Sequence, residues 1–212
     1  MKSPLKSIHT SPFENSHERI LNAATHTLIK GKTFKLAGQD GMLVGREAAR
    51  RVLDECLSHL DGQEMGSVIE LDFSAVRFVD FSSADEFLGR LAGRILGREL
   101  SDTCVILTHC RPEICENIDA MLKLKNQAML CKDISGKSKL LGRLHPQLEQ
   151  TLRFVEGRGV ATARDLADAQ KIAINTSSNR LTKLANLGLV GRREEPAAGK
   201  GGKQFRYFSL VA

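Results

Sequence analysis

The chain has 212 residues, of which 42% are hydrophobic, 26% charged and 5% aromatic, a balance that excludes collagen-like, mucin-like and wholly disordered polymers. Its 31 basic and 25 acidic side chains leave a formal charge of +6, and residues 142–212 carry all of the excess, with 12 basic and 6 acidic groups against 19 and 19 before them. A basic last third behind a neutral body points to two modules with separate tasks.

No apolar run reaches the roughly 18 residues that span a bilayer, and the polar start Met1-Lys2-Ser3-Pro4 leads into no signal-like segment, so a cytoplasmic location without membrane contact is expected. Five cysteines, at 56, 104, 110, 115 and 131, form an odd set without a disulfide-framework pattern. His109, Cys110 and Cys115 offer soft ligands, but there is no CxxC pair and a fourth ligand would have to come from afar. Reduced thiols are the expectation, with no metal and no cofactor.

In chain order, residues 1–18 read as a loose leader and 13–29 as a short helix or edge strand. Thr33-Phe34-Lys35-Leu36 reads as a strand, with a turn over 38–41. Over 46–60, Ala49, Val52, Leu53, Cys56 and Leu60 recur mostly at steps of three and four, which predicts an amphipathic helix closed by Asp61-Gly62. Strands are predicted at 67–73 and 76–79. A helix then starts at Ser82 or Ser83 as N-cap, carrying Phe87, Leu88, Leu91 and Ile95. A strand at 104–107, a helix from Pro112 to about Leu124 and a strand at 128–131 complete a small α/β unit whose strands are too continuously apolar to be solvated on both faces. The Ser, Gly and Lys stretch 133–139 reads as a linker.

Beyond it the period becomes helical. Leu148, Leu152 and Val155 share one face, Thr162 caps a short helix with Leu166 and Ala169, and Leu181, Leu184 and Leu187 make the buried stripe of a third helix over 176–187, stopped by Gly188. Two strands, 189–193 and 204–211, flank a Gly- and Pro-rich connection.

No phosphate loop, dinucleotide-binding glycine fingerprint or metalloprotease helix motif occurs, and Gly199-Lys200-Gly201-Gly202-Lys203 lacks the helix that a phosphate loop needs. Asp80 and Ser82 have no orienting histidine nearby in the sequence, so a non-enzymatic protein is expected. A convergent pocket of Asp72, Asp80 and His109 would reverse that expectation. The two closely spaced helices of the basic module suit a helix-turn-helix, whose second helix would turn Thr176, Ser177, Ser178, Asn179 and Arg180 towards a major groove, with Thr182 and Lys183 also accessible. Arginine pairs with guanine, asparagine with adenine, and hydroxyls with bases or phosphates. Arg192, Arg193, Lys200, Lys203 and Arg206 would flank the groove as phosphate contacts. Double-stranded DNA is thus the expected partner, and a small domain with a solvated basic face the alternative.

Leu166-Ala167, Asn179-Arg180-Leu181 and Leu184-Ala185-Asn186-Leu187-Gly188-Leu189-Val190 with the following hairpin resemble the winged helix-turn-helix of bacterial transcription regulators. The resemblance covers about 65 residues and implies that 175–187 reads DNA while 192–206 forms the wing. Upstream, Ile69-Glu70-Leu71-Asp72-Phe73 through Val79-Asp80-Phe81-Ser82-Ser83, with Leu88-Gly89-Arg90 and Gly45-Arg46-Glu47-Ala48-Ala49, resembles STAS-like domains related to anti-anti-sigma factors. There an Asp at the strand end precedes a Ser-Ser pair whose second Ser is phosphorylated. That position falls on Ser82, with Phe81 in place of the first Ser and Ser83 in place of the usual Gly.

The fold class implied is α/β, a STAS-like regulatory or dimerisation domain at 20–133 followed by a winged helix-turn-helix at 142–212. The function implied is a DNA-binding transcriptional regulator that forms a homodimer. The alternative is an anti-anti-sigma-like interaction switch without DNA binding, facing a histidine-kinase-like ATPase or an anti-sigma-like protein. Asp80, Ser82 and Ser83 could then serve as a helix cap, a docking surface or a phosphorylation site.

Overall fold

The computed structural model describes residues 32–60, 68–100, 103–133, 137–196 and 203–211. The expected features at 1–29, the turn at Asp61-Gly62 and the hairpin tip with Lys200 lie outside them. The chain forms a two-domain α/β architecture, a mixed sheet with helices followed by a more helical part with a small antiparallel sheet.

The first part runs β1 (Lys32–Lys35), β2 (Met42–Leu43), α1 (Arg46–Leu60), β3 (Val68–Asp72), β4 (Phe78–Val79), α2 (Phe81–Ala84), a π-turn (Asp85–Gly89), α3 (Arg90–Leu96), β5 (Cys104–Thr108), α4 (Pro112–Leu124), β6 (Ala128–Lys132) and β7 (Ser138–Gly142). The main sheet has the order β1-β3-β5-β6-β7, parallel except for β7, which pairs antiparallel with β6. β2 and β4 pair in a separate two-stranded ladder. Strands that always step in one direction through crossovers of a single hand put every crossover helix on the same face. Here α1, α3 and α4 all bury their apolar stripes in one core, with Leu53, Leu91 and Ile118 among its members.

The stretch read as a linker is partly a strand. β7 occupies 138–142 and is registered from Ala128↔Gly142 to Lys132↔Ser138. A Ser-Gly-Lys composition concealed it, and its apolar content is confined to Leu140 and Leu141, which face opposite sides. Gly142 ends the strand at φ +91, and a Cβ there would lie 2.2 Å from the Gln127 carbonyl oxygen, so only glycine fits.

The second part comprises α5 (Pro146–Arg158), β8 (Val160–Ala161), α6 (Ala163–Gln170), α7 (Ile174–Asn186), β9 (Gly191–Pro196) and β10 (Lys203–Phe208), with strand order β8-β10-β9. Pro146 at the first turn of α5 loses no helical hydrogen bond, and Thr162 and Asp165 form a reciprocal capping box on α6. Lys171 then turns the chain in the left-handed region, at φ 52, before α7.

This second part covers the sheet face that α1, α3 and α4 leave bare. Side chains alternate along a strand: Val105, Leu107, Met129 and Cys131 enter the first core, whereas Cys104, Ile106, Ala128 and Leu130 enter a second core with Leu148, Leu152, Leu166, Leu181, Leu184 and Tyr207. The continuous apolar strands are therefore buried on both faces. Contact is tight at the end of α7. Gly188, at φ +68, brings its backbone so close that a Cβ would lie 3.0 Å from the Thr103 carbonyl oxygen, and the Cys104 thiol meets the Val190 carbonyl oxygen at 3.4 Å.

Glu86 is buried in the π-turn with its side chain 1% exposed, and it pairs with Arg50 at 3.0 Å, Arg90 at 3.2 Å and Arg46 at 3.3 Å. Desolvation pushes its pKa up, but the arginines outweigh that and hold it below the ordinary glutamate value.

Because the two cores share one sheet, the full chain is expected to unfold in a single calorimetric transition. Leu184→Ala should cost about 2–5 kcal/mol of the whole. A variant in which 148–210 melts separately, with the α/β part unchanged, would contradict the shared core.

Candidate functional site

Three groupings of side chains stand out. The first is the outer face of α7. Asn175, Thr176, Asn179 and Lys183 are exposed there, Ser178 and Arg180 are half-buried, and the Arg180 guanidinium donates to Gln170 Oε1 at 3.1 Å, tying α7 to α6. Two expected outward residues turn inward. Ser177 is 0% exposed and its hydroxyl donates to the Ala173 carbonyl at 3.4 Å, because it continues the buried stripe of Leu181, Leu184 and Ala185 by one helical turn. The half-buried Thr182 shares a 3.1 Å hydrogen bond with the hydroxyl of the buried Tyr207 on β10. Lys171 and Arg164 are further exposed polar groups that the sequence pattern did not mark as contacts.

The β9–β10 hairpin meets this helix through the Thr182–Tyr207 hydrogen bond. Its cations are partly neutralised within the hairpin: Lys203 pairs with Glu194 at 3.1 Å and Arg206 with Glu195 at 3.1 Å, while Arg192 lies over the Phe205 ring at 5.0 Å. Arg193 is exposed. Surface pairs of this kind contribute little, so a phosphate can take over Lys203 or Arg206 at small cost.

The second grouping surrounds Asp80, which, rather than Ser82 or Ser83, is the N-cap of α2. One carboxylate oxygen accepts from the Ser83 amide at 2.7 Å and the Ser82 hydroxyl at 3.1 Å, and the other accepts from the Gly45 amide at 3.2 Å. Ser83 is buried and its hydroxyl donates to the Gly45 carbonyl at 3.2 Å, so it is closed to modification, whereas Ser82 is half-exposed. Partial burial raises the Asp80 pKa, but the hydrogen bonds from Ser83, Gly45 and Ser82 outweigh it and the net direction is down. A phosphate on Ser82 would thus lie beside an ionised carboxylate, opposing what the helix N-terminus offers it. Met42 and Phe78, paired across β2 and β4, and Val44 and Phe81 nearby in the chain are exposed large apolar side chains.

Asp72 and His109 meet at the sheet end, Oδ1 to Nδ1 at 2.9 Å, with Asp72 also accepting from the Ser74 amide at 2.8 Å and hydroxyl at 3.0 Å. The imidazole is 59% exposed. Asp80 makes its bonds with Gly45, Ser82 and Ser83 instead, so the three groups do not converge in a buried pocket.

The third grouping is a thiol cluster. All five cysteines are free. Cys110 from the loop after β5, Cys115 from α4 and Cys131 from β6 place their sulfurs within 4.8 Å of one another, with Cys115 and Cys131 3.8 Å apart. Hydrogen bonds from the other two thiols draw the Cys115 pKa down to about 3. Cys110 is pushed up, first by its hydrogen bond with Cys115; at Cys131 the hydrogen bond with Cys110 lowers the pKa, but Cys115 and burial together outweigh it and raise it to about 12. The three thiols are thus mutually coupled, with the negative charge favoured at Cys115. Sequence spacing links Cys110 with Cys115 but carries no signal for Cys131, which strand pairing alone delivers.

Among the described residues, no helix is long and apolar enough to cross a membrane. No protein-family model matches the chain, and no curated protein matches it.

The Asp80 cap makes two outcomes testable. Asp80→Ala should cost about 0.5–2 kcal/mol, whereas Asp80→Asn, which keeps a capping oxygen, should cost less at neutral pH. Because folding lowers the carboxyl pKa, its contribution is full above the unfolded value of about 3.9 and is lost as pH falls through the folded value. Urea midpoints at pH 6 and pH 3 should therefore converge for Asp80→Asn and the unaltered chain at the lower pH. An unchanged gap would remove the titration argument.

Proposed function

We propose that this chain is a non-enzymatic, DNA-binding transcriptional regulator of the cytoplasm. In this reading 142–212 acts as a winged helix-turn-helix, and the α/β part acts as a STAS-like domain that mediates homodimerisation or partner sensing. The observation that carries the reading is the outer face of α7. A helix that packs its inner stripe against α5 and α6 presents Thr176, Asn179, Arg180 and Lys183 on the side away from both cores, next to a two-stranded basic hairpin. Double-stranded DNA is the polyanion such a face suits, with α7 in the major groove and β9–β10 along the backbone. The mechanism is occupancy, and a homodimer would place two such helices on successive groove faces.

A second reading has its own observation. The exposed apolar residues Met42, Val44, Phe78 and Phe81 beside the Asp80 cap favour a protein-interaction switch, in which a histidine-kinase-like ATPase or an anti-sigma-like protein docks there. Phe78→Asp would abolish docking and leave DNA affinity intact under that reading.

Fluorescence anisotropy with selected duplexes tests the first. Arg180→Ala should lose about 1–3 kcal/mol of discrimination at a single base-pair position, and Lys203→Ala should weaken all duplexes alike and reduce the salt slope by about 1. Equal losses on matched and mismatched duplexes would remove base reading by Arg180, and an unaltered slope would remove the phosphate contact of Lys203.

A further inference from the structure

We propose that Cys110, Cys115 and Cys131 form a three-thiolate site for a soft metal ion of low coordination number, with monovalent copper as the best fit. Three sulfurs from three separate elements converge within 4.8 Å. A planar three-coordinate ion with metal–sulfur bonds of about 2.3 Å needs sulfurs about 4.0 Å apart. The Cys115–Cys131 separation of 3.8 Å already meets that spacing, and the Cys110 sulfur lies within 4.8 Å of both.

The donor set decides the ion. Among the described residues no carboxylate or imidazole belongs to the cluster, and the neighbouring His109 turns its Nδ1 to Asp72 at 2.9 Å instead. Hard ions such as calcium and magnesium require oxygen ligands. Structural zinc closes with four ligands, and the described residues supply three. All-thiolate ligation without a fourth donor selects a soft ion content with three.

Placement supports the same conclusion. Cys115 is held on the 13-residue helix α4, and Cys131 lies on β6 between two hydrogen-bonded neighbours, so neither has to be ordered by the ion. Cys110 alone is half-exposed, which leaves a side open for delivery and release. The site sits beyond the carboxyl end of β5 and near that of the parallel β6, where open α/β sheets bind ligands. Lys139 stands directly opposite Cys131 on β7 and offsets the negative charge that three thiolates and a monovalent ion would leave.

The test is anaerobic titration of the reduced full chain with monovalent copper in competition with a bathocuproine chelator, read by retained copper and by sulfur-to-copper charge-transfer absorption. One ion per chain is expected. Cys110→Ser and Cys131→Ser should each lower affinity at least about 100-fold, since even outer-shell changes cost about 10 to 100-fold. Cys56→Ser and Cys104→Ser should retain the unaltered affinity. Circular dichroism of the half-exposed Cys110→Ser variant separates loss of the ion from loss of the fold. Preferential retention of zinc over copper, equal losses in Cys56→Ser and Cys110→Ser, or conversion to a Cys115–Cys131 disulfide with no copper bound by the reduced chain would each overturn the proposal.

Discussion

The rest of the structure depends on a parallel sheet that needs cover on both faces. Crossovers that step one way along β1-β3-β5-β6 can cover only one side, and the side chains of Cys104, Ile106, Ala128 and Leu130 would otherwise meet water. At roughly 25 cal/mol per Å² of apolar surface, that face dictates where the second part docks. Leu148, Leu152, Leu181 and Leu184 answer it, so the helical part takes its fixed orientation from the sheet. The α/β part is in turn incomplete without 148–210.

That docking sorts the polar residues of α7. The stripe of Ser177, Leu181, Leu184 and Ala185 is used up in the second core, and Asn175, Thr176, Asn179 and Lys183 are left outside. The same sheet gathers the thiols, since β6 carries Leu130 into one core and Cys131 into the other. β7 joins these regions: Lys139 faces Cys131, while Ser138 donates to Glu156 of α5 at 2.8 Å. A change at the cluster and the orientation of the second part thus bear on adjacent residues of one short strand.

Much of this was legible in the sequence because local pattern and tertiary demand agree. The helices over 46–60 and 112–124 have the bounds that their apolar period and Pro112 imply. The unbroken apolar runs showed that the strands could not be solvated on both faces, but neither burial of both faces nor the identity of the second cover was legible. β7 was missed because an edge strand with one inward leucine on each side carries little hydrophobic signal. Asp80 displaced the serines as N-cap because its carboxylate also reaches Gly45, a contact between residues 35 apart. Ser177 looked available by composition, and only the phase of the stripe turns it inward. Cys131 joined the thiols through strand pairing, which no spacing rule encodes.

Amide hydrogen exchange of the full chain with and without duplex DNA tests the central claim most directly. Slowed exchange is expected over 163–186, 191–196 and 203–208, with 42–44 and 78–82 unchanged. Protection confined to 42–44 and 78–82, or none at low salt, would contradict it.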